Sequence, residues 1–262
     1  MNDRRIAELA QELFNAMQTR STVSPITERE QDFSIEDAYK VSLAFLQKRL
    51  DTGERVVGKK IGLTSKVVQD MLGVHQPDFG FLTESMMYQS GDEIPFDKEL
   101  IQAKSEGEIA FILDKDLNGP GVTAADVLAA TAAVAPCFEI VDSRISDWKI
   151  KIQDTVADNA SCGIFVIGDK VSPDNIDFEN CKMTIKNKDE VIAEGVGSAA
   201  LGSPLNCVAW LANTLGEYGI SLNKGDIILS GSLAAMIPCQ NDDDMVMEID
   251  GIGRASYKFI AD

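Results

Sequence analysis

The sequence predicts an α+β fold, and three observations carry that expectation. Strand-like runs come in hairpin spacing, helices fall between them without a repeated strand–helix unit, and no glycine-rich G-x-G-x-x-G follows a strand. The last point leaves a dinucleotide site without support. With 262 residues, 45% of them hydrophobic and 25% charged, the chain is long enough for a large core.

Residues 1–55 read as a helical part. Ile6, Leu9, Leu13 and Met17 make a helical stripe, and 21–33 is a polar connection containing Pro25. Ser34 and Asp37 resemble a capping box for a second helix carrying Val41, Leu43, Phe45, Leu46 and Leu50. This part reads as a packing or oligomer arm without chemistry.

Residues 56–262 read as the main domain. A strand over 56–63 is followed by a short helix from Ser65 through Val67, Val68 and Leu72. Next, 73–80 is punctuated by Pro77 and Gly80, and is predicted to be a loop too polar for a core element. A strand over 108–113 leads through Asn118-Gly119-Pro120 to a helix start at Thr123 and Asp126. That helix is expected over 124–134, feeding straight into a strand with Glu139. The polar segment 154–161 precedes a strand over 162–167. Strands over 182–186 and 191–194 flank a turn at Asn187-Lys188-Asp189, a helix covers 204–215, and strands follow over 226–230, 245–249 and 255–260. The acidic run Asn241-Asp242-Asp243-Asp244 reads as a solvated loop in preference to a second metal site.

Charge narrows the function. Lys+Arg 24 against Asp+Glu 42 gives a net charge of -18, which argues against nucleic acid and anionic membranes as partners. An anionic small substrate stays open, because a metal and one placed lysine can invert the field inside a cleft. The five cysteines are scattered, without a C-x-x-C pair, and read as small buried hydrophobes in a reducing compartment. No signal-peptide core or membrane-length run is present in the sequence, so a cytoplasmic protein is expected. His75 is the single histidine, which leaves His-based zinc sites and a Ser-His-Asp triad little room.

The chemistry centres on Ser105-Glu106-Gly107-Glu108-Ile109-Ala110-Phe111-Ile112. On a strand Glu106 and Glu108 project from one face, and repel unless a cation or water intervenes. A solvated face is the competing reading. Glu139, inside the apolar run 134–141, is a candidate third ligand and favours the cation. Three carboxylates without His or Cys describe a hard oxygen site of the Mg2+ or Mn2+ kind, suited to the carboxylate and oxo group of a 2-oxo acid. Lys60 is a candidate partner for the substrate carboxylate, with an exposed lysine as the alternative. Asp78 and Asp158, beside apolar neighbours, are candidate proton carriers, and Ser161 is a candidate hydrogen-bond donor.

Several stretches add a resemblance. In order, they are Val57-Gly58-Lys59-Lys60-Ile61-Gly62-Leu63-Thr64-Ser65, Leu72-Gly73-Val74-His75-Gln76-Pro77-Asp78-Phe79-Gly80, Glu106-Gly107-Glu108, Glu139-Ile140-Val141-Asp142-Ser143-Arg144, Asp154-Thr155-Val156-Ala157-Asp158-Asn159-Ala160-Ser161 and Gly225-Asp226-Ile227-Ile228-Leu229-Ser230-Gly231. Together they resemble the 2-hydroxypenta-2,4-dienoate hydratases of aromatic meta-cleavage pathways, in the hydratase/decarboxylase branch of the fumarylacetoacetate hydrolase superfamily. The resemblance spans nearly the whole chain. It implies a mixed β-roll with an N-terminal helical part, metal ligands at Glu106, Glu108 and Glu139, and Lys60, Asp78 and Ser161 lining the active site. It also implies ketonisation of a dienol followed by addition of water, giving a 4-hydroxy-2-oxo acid, in a homo-oligomer. The sister 2-oxo-3-enedioate (4-oxalocrotonate) decarboxylases are the rival reading and a possible complex partner. They usually have a hydrophobic residue where Lys59 stands and a different loop at 75–79. A third reading is a catalytically silent scaffold for the decarboxylase, which would need none of these side chains. Two departures from the family pattern are the missing proline just before Glu106 and the acidic stretch 238–244 without its usual glycine.

Overall fold

The computed structural model describes residues 1–65, 69, 74 and 76–261. Val67, Val68 and Leu72 of the helix expected from Ser65, and the histidine His75, therefore lie outside the described residues. Helix α1 (Asp3–Thr19) buries Ile6, Leu9, Ala10 and Leu13. The connection after it holds one helical turn, α2 (Ile26–Arg29), where only polar coil is expected. Helix α3 (Ile35–Asp51) starts as its sequence predicts, with Ser34 Oγ accepting a hydrogen bond from Asp37 N at 3.1 Å. Its buried face includes Tyr39, Val41 and Phe45, whereas Leu43 is exposed.

The strands form two sheets, both mixing parallel and antiparallel pairs. The larger contains β1 (Val56–Gly62), β2 (Asp78–Thr83), β3 (Met87–Gln89), β5 (Lys104–Leu113), β6 (Thr131–Val141), β7 (Cys162–Ile167), β10 (Ile227–Leu229) and β11 (Ile237–Pro238). Its order is β2-β1-β10-β5-β6-β7-β3, with β11 also pairing β5. The second sheet has the order β4-β13-β12-β8-β9, from β4 (Glu93–Pro95), β8 (Lys182–Asn187), β9 (Glu190–Val196), β12 (Asp244–Ile249) and β13 (Gly253–Ile260). Further helices among the described residues are α4 (Phe96–Glu99), α5 (Ala124–Ala130), α6 (Ile152–Ala157) and α7 (Pro204–Glu217). This is the α+β architecture the sequence predicts. Among the described residues no helix is long and apolar enough to cross a membrane.

Period-two alternation divides the faces of the larger sheet. On β5, Ile109 and Phe111 join a large cluster that includes the N-terminal helices and the second sheet. Ala110 instead joins a smaller cluster with Leu82, Ala135, Cys137, Phe165 and Leu229. Gly107 faces the second sheet at a point of close approach, where a Cβ would strike Met183 Sδ and lie 2.8 Å from Met247 Sδ. That contact accounts for a glycine between the two glutamates.

Three further sequence expectations change. The helix predicted over 124–134 ends at Ala130, because Thr131 and Ala133 pair with Leu113 and Ile112 of β5. The good helix formers Ala132 and Ala133 are overruled by that pairing. The run 73–80 is not all loop: Asp78, Phe79 and Gly80 open β2 and are buried. The acidic turn is not simply solvated, since buried Asp243 accepts from Asn187 Nδ2 at 2.7 Å and Gln240 N at 2.7 Å.

Candidate metal centre and active site

Strands β5 and β6 run antiparallel with Glu106 directly opposite Glu139 and Glu108 opposite Cys137. Glu106, Glu108 and Glu139 each offer a carboxylate oxygen, and these three atoms lie within 4.8 Å of one another. No other such group of three occurs among the described residues. Glu108 Oε2 accepts from Gly231 N at 2.8 Å, but among the described residues Glu108 Oε1 and Glu139 Oε2 are buried without any partner, and Glu139 Oε1 has only the charge of Lys60 beside it. Buried acceptors without donors are costly, and they fit a hard cation. Without a cation, burial and then the Glu139 charge push Glu106 up to about 7 against the pull of Lys60 and Lys104. The same two causes, with Glu106 added, hold Glu108 well above the ordinary glutamate value.

Lys60 comes from β1, and it is buried, which removes the exposed alternative. Its Nζ lies 3.0 Å from Glu139 Oε1 as an ion pair. Burial works against its charge, but Glu139 and then Asp78 outweigh this and raise it above the usual lysine range. Asp78 pairs with Gly62 across β1 and β2, and a Cβ at Gly62 would strike Asp78 Oδ1 and lie 3.3 Å from Lys60 Nζ. The ammonium and the carboxylate thus converge over a glycine. Burial pushes Asp78 up to about 6 despite Lys60, and its Oδ1 has no hydrogen-bond partner.

Ser161 and Asp158 lie in a buried turn between α6 and β7. Ser161 Oγ is 3.1 Å from Thr155 Oγ1. Asp158 is held by Arg144: Oδ1 accepts from Arg144 Nε at 2.6 Å, and Oδ2 from Arg144 N at 2.8 Å and Ser143 Oγ at 3.3 Å. Its carboxylate is therefore committed to a buried ion pair, unlike the half-free carboxylate of Asp78. Lys59 points to the opposite face from Lys60 and forms a buried pair with Asp226 at 2.5 Å.

The fumarylacetoacetate (FAA) hydrolase C-terminal family model matches residues 56–259. The chain belongs to the fumarylacetoacetate hydrolase family. Within that family it is 63% identical over 222 residues to the 2-hydroxypent-2,4-dienoate hydratase of Pseudomonas putida, covering 84% of this chain and 100% of the relative. It is 54% identical to the 2-hydroxyhexa-2,4-dienoate hydratase of Comamonas testosteroni, over 99% of both chains. Among solved structures, 4-oxalocrotonate decarboxylase from Pseudomonas putida G7, complexed with magnesium and adipate, superimposes with a TM-score of 0.96 at 32% identity, over 99% of each chain.

Several groups around these side chains were not foreseen from the sequence. Arg144 and Asn159 stand inside quoted motifs, yet nothing in the local pattern says what they hold. Gly231, whose N–H reaches Glu108, carries the only signal of the set: a glycine just after a strand, here with φ 92°. Tyr39 of α3 stacks on Phe79 with ring centroids 4.3 Å apart, so the N-terminal part braces the strand that carries Asp78.

Proposed function

We propose that this chain is a divalent-cation-dependent hydratase. It adds water to a 2-hydroxy-2,4-dienoate such as 2-hydroxypenta-2,4-dienoate, giving a 4-hydroxy-2-oxo acid in aromatic meta-cleavage catabolism. The observation that carries the reading is the convergence of half-buried Glu106 with buried Glu108 and Glu139, with Lys60 and Asp78 beside them. The names of the relatives at 63% and 54% identity support the reaction class.

Glu106, Glu108 and Glu139 would hold Mg2+ or Mn2+; all-oxygen donors favour such hard ions, and the decarboxylase relative is complexed with magnesium. A cation bound there supplies Lewis-acid polarisation of the 2-oxo group. Lys60, fixed in its charged form, balances the carboxylates and attracts the substrate anion. Asp78 has one free oxygen and a raised pKa, which suits it to moving protons during ketonisation and water addition. Ser161 donates a hydrogen bond to the substrate. Asp158, bound to Arg144, serves this reading by shaping the turn that carries Ser161. Residues 1–55 act as a helical brace for a catalytic roll spanning 56–262. A homo-oligomer, and a complex with the pathway decarboxylase, belong to the same proposal.

The decarboxylase shares the fold, so shape does not discriminate; the identities of 63% and 54% against 32% favour the hydratase. The test is ultraviolet loss of the pentadienoate and hexadienoate in parallel, with Mg2+ and then excess chelator, beside carbon dioxide release from a 2-oxo-3-enedioate. Chelator-sensitive loss of a dienoate without carbon dioxide release is expected. Carbon dioxide release with inert dienoates would make the decarboxylase correct, and inertness to all three substrates would leave the scaffold.

A further inference from the structure

Between α6 and β7 the backbone makes a turn of rare conformation. Asn159, Ala160 and Ser161 have φ of 53°, 51° and 52°, three successive non-glycine residues in the left-handed region. Each is disfavoured there by contact between its Cβ and the following carbonyl oxygen. Such a segment persists only where its surroundings over-determine it.

Two separate sets of contacts do so. Arg144 fixes the turn from one side: Nη2 donates to Asp158 O at 2.6 Å, and Nη1 to Cys162 O at 2.8 Å and Asp142 O at 2.5 Å. Asp142 N also donates to Ser161 O at 2.7 Å. These bonds tie the turn to the ends of β6 and β7. From the other side, Asn159 Oδ1 accepts from Phe81 N at 2.8 Å and Asn159 Nδ2 donates to Phe81 O at 2.9 Å. The carboxamide thereby acts as one rung of a strand added to β2. Contact is close, because a Cβ at Gly80 would lie 2.5 Å from Asn159 O.

We propose that Asn159 is a positioning residue: its carboxamide sets the spacing between Ser161 on the turn and Asp78 at the start of β2. The inference rests on the reading of Asp78 and Ser161 as active-site groups. Arg144 alone would preserve the shape of the turn. The bonds to Phe81 are what link the turn to β2, the strand that begins at Asp78. Asn159 is neutral and its carboxamide bonds to the backbone N–H and C=O of Phe81, so it acts through geometry and not through charge. Removing it should misplace Ser161 against Asp78 while leaving the β5–β6 carboxylates alone.

Asn159→Gly isolates the effect, since glycine adopts the same φ without strain. Turnover of 2-hydroxypenta-2,4-dienoate would be compared in wild type, Asn159→Gly, Ser161→Ala and the double variant, with Mn2+ affinity measured calorimetrically on each. Asn159→Gly should lower kcat about tenfold, with Mn2+ affinity unchanged. In the Ser161→Ala background it should cost nothing further, because residues acting through one another are not additive. An equal loss in both backgrounds, or Mn2+ affinity falling in step with kcat, would reduce Asn159 to general structural support and overturn the proposal. The same cycle read on calorimetric binding of 2-oxopentanoate to the Mn2+-loaded protein needs no turnover. Absence of wild-type hydration would then sink the hydratase reading, while the binding cycle still judges Asn159.

Discussion

Lys60 Nζ stands 3.0 Å from Glu139 and meets Asp78 over Gly62, so one charge offsets two carboxylates. It also competes with any cation for Glu139. Replacing it, as Lys60→Met, should lower kcat/KM by about 100-fold or more, yet leave Mn2+ affinity undiminished in calorimetry. If Mn2+ affinity collapses with activity, Lys60 is part of the cation site instead. On the proposed reading, Asp78 sets the pH response. Burial raises it to about 6, so it is protonated below that pH and ionised above it. A proton acceptor at Asp78 therefore predicts that kcat/KM falls below about pH 6, and that Asp78→Asn is slow with that acid limb flattened. An unchanged limb in the variant would assign the titration elsewhere. At this scale the sequence was half legible. A carboxyl beside apolar neighbours signals burial at Asp78 and Asp158 alike, but the partner that separates them, Arg144, is found only by folding.

The β5–β6 pair is the element on which the site depends. Glu106 and Glu108 bind protons more tightly in the folded cation-free protein than in the unfolded chain, because burial and neighbouring carboxylates raise Glu106 from 4.5 to about 7 and hold Glu108 well above its ordinary value. A raised acid stabilises the fold below its unfolded pKa and loses that stabilisation as pH climbs through the folded value. The chelated protein should therefore lose thermal stability between about pH 4.5 and 7, and Mn2+ should restore it most at the upper end. Scanning calorimetry of wild type against Glu108→Gln isolates the effect; identical slopes would contradict it. Period two places Glu106 and Glu108 together from the sequence alone. Glu139 could only be suspected, since its place opposite Glu106 depends on the register across α5. The same register shortened α5, as Thr131 and Ala133 gain more from pairing with β5 than from continuing a helix.

For the whole molecule, the helical part is tied into the body that carries the site. Tyr39 stacks on Phe79, and Thr27 N and Oγ1 donate to Asp154 of α6 at 3.0 and 2.7 Å. Tyr39→Ala should cost about 3 kcal/mol in denaturant unfolding, whereas Tyr39→Phe keeps the stack and should cost far less. Equal losses would place the contribution in the hydroxyl. Amphipathic stripes made these helices legible; where they dock was not, because docking joins α3 to a strand beginning at a residue the local pattern assigned to a loop. The decisive measurement is the mass of the product formed from 2-hydroxypenta-2,4-dienoate in heavy-oxygen water, with Mg2+ and with chelator. Hydration at the carboxylate site predicts a product heavier by one labelled water, formed only with Mg2+ and lost in Glu106→Gln. Recovery of unchanged dienoate, or the same labelled product in excess chelator, would contradict it.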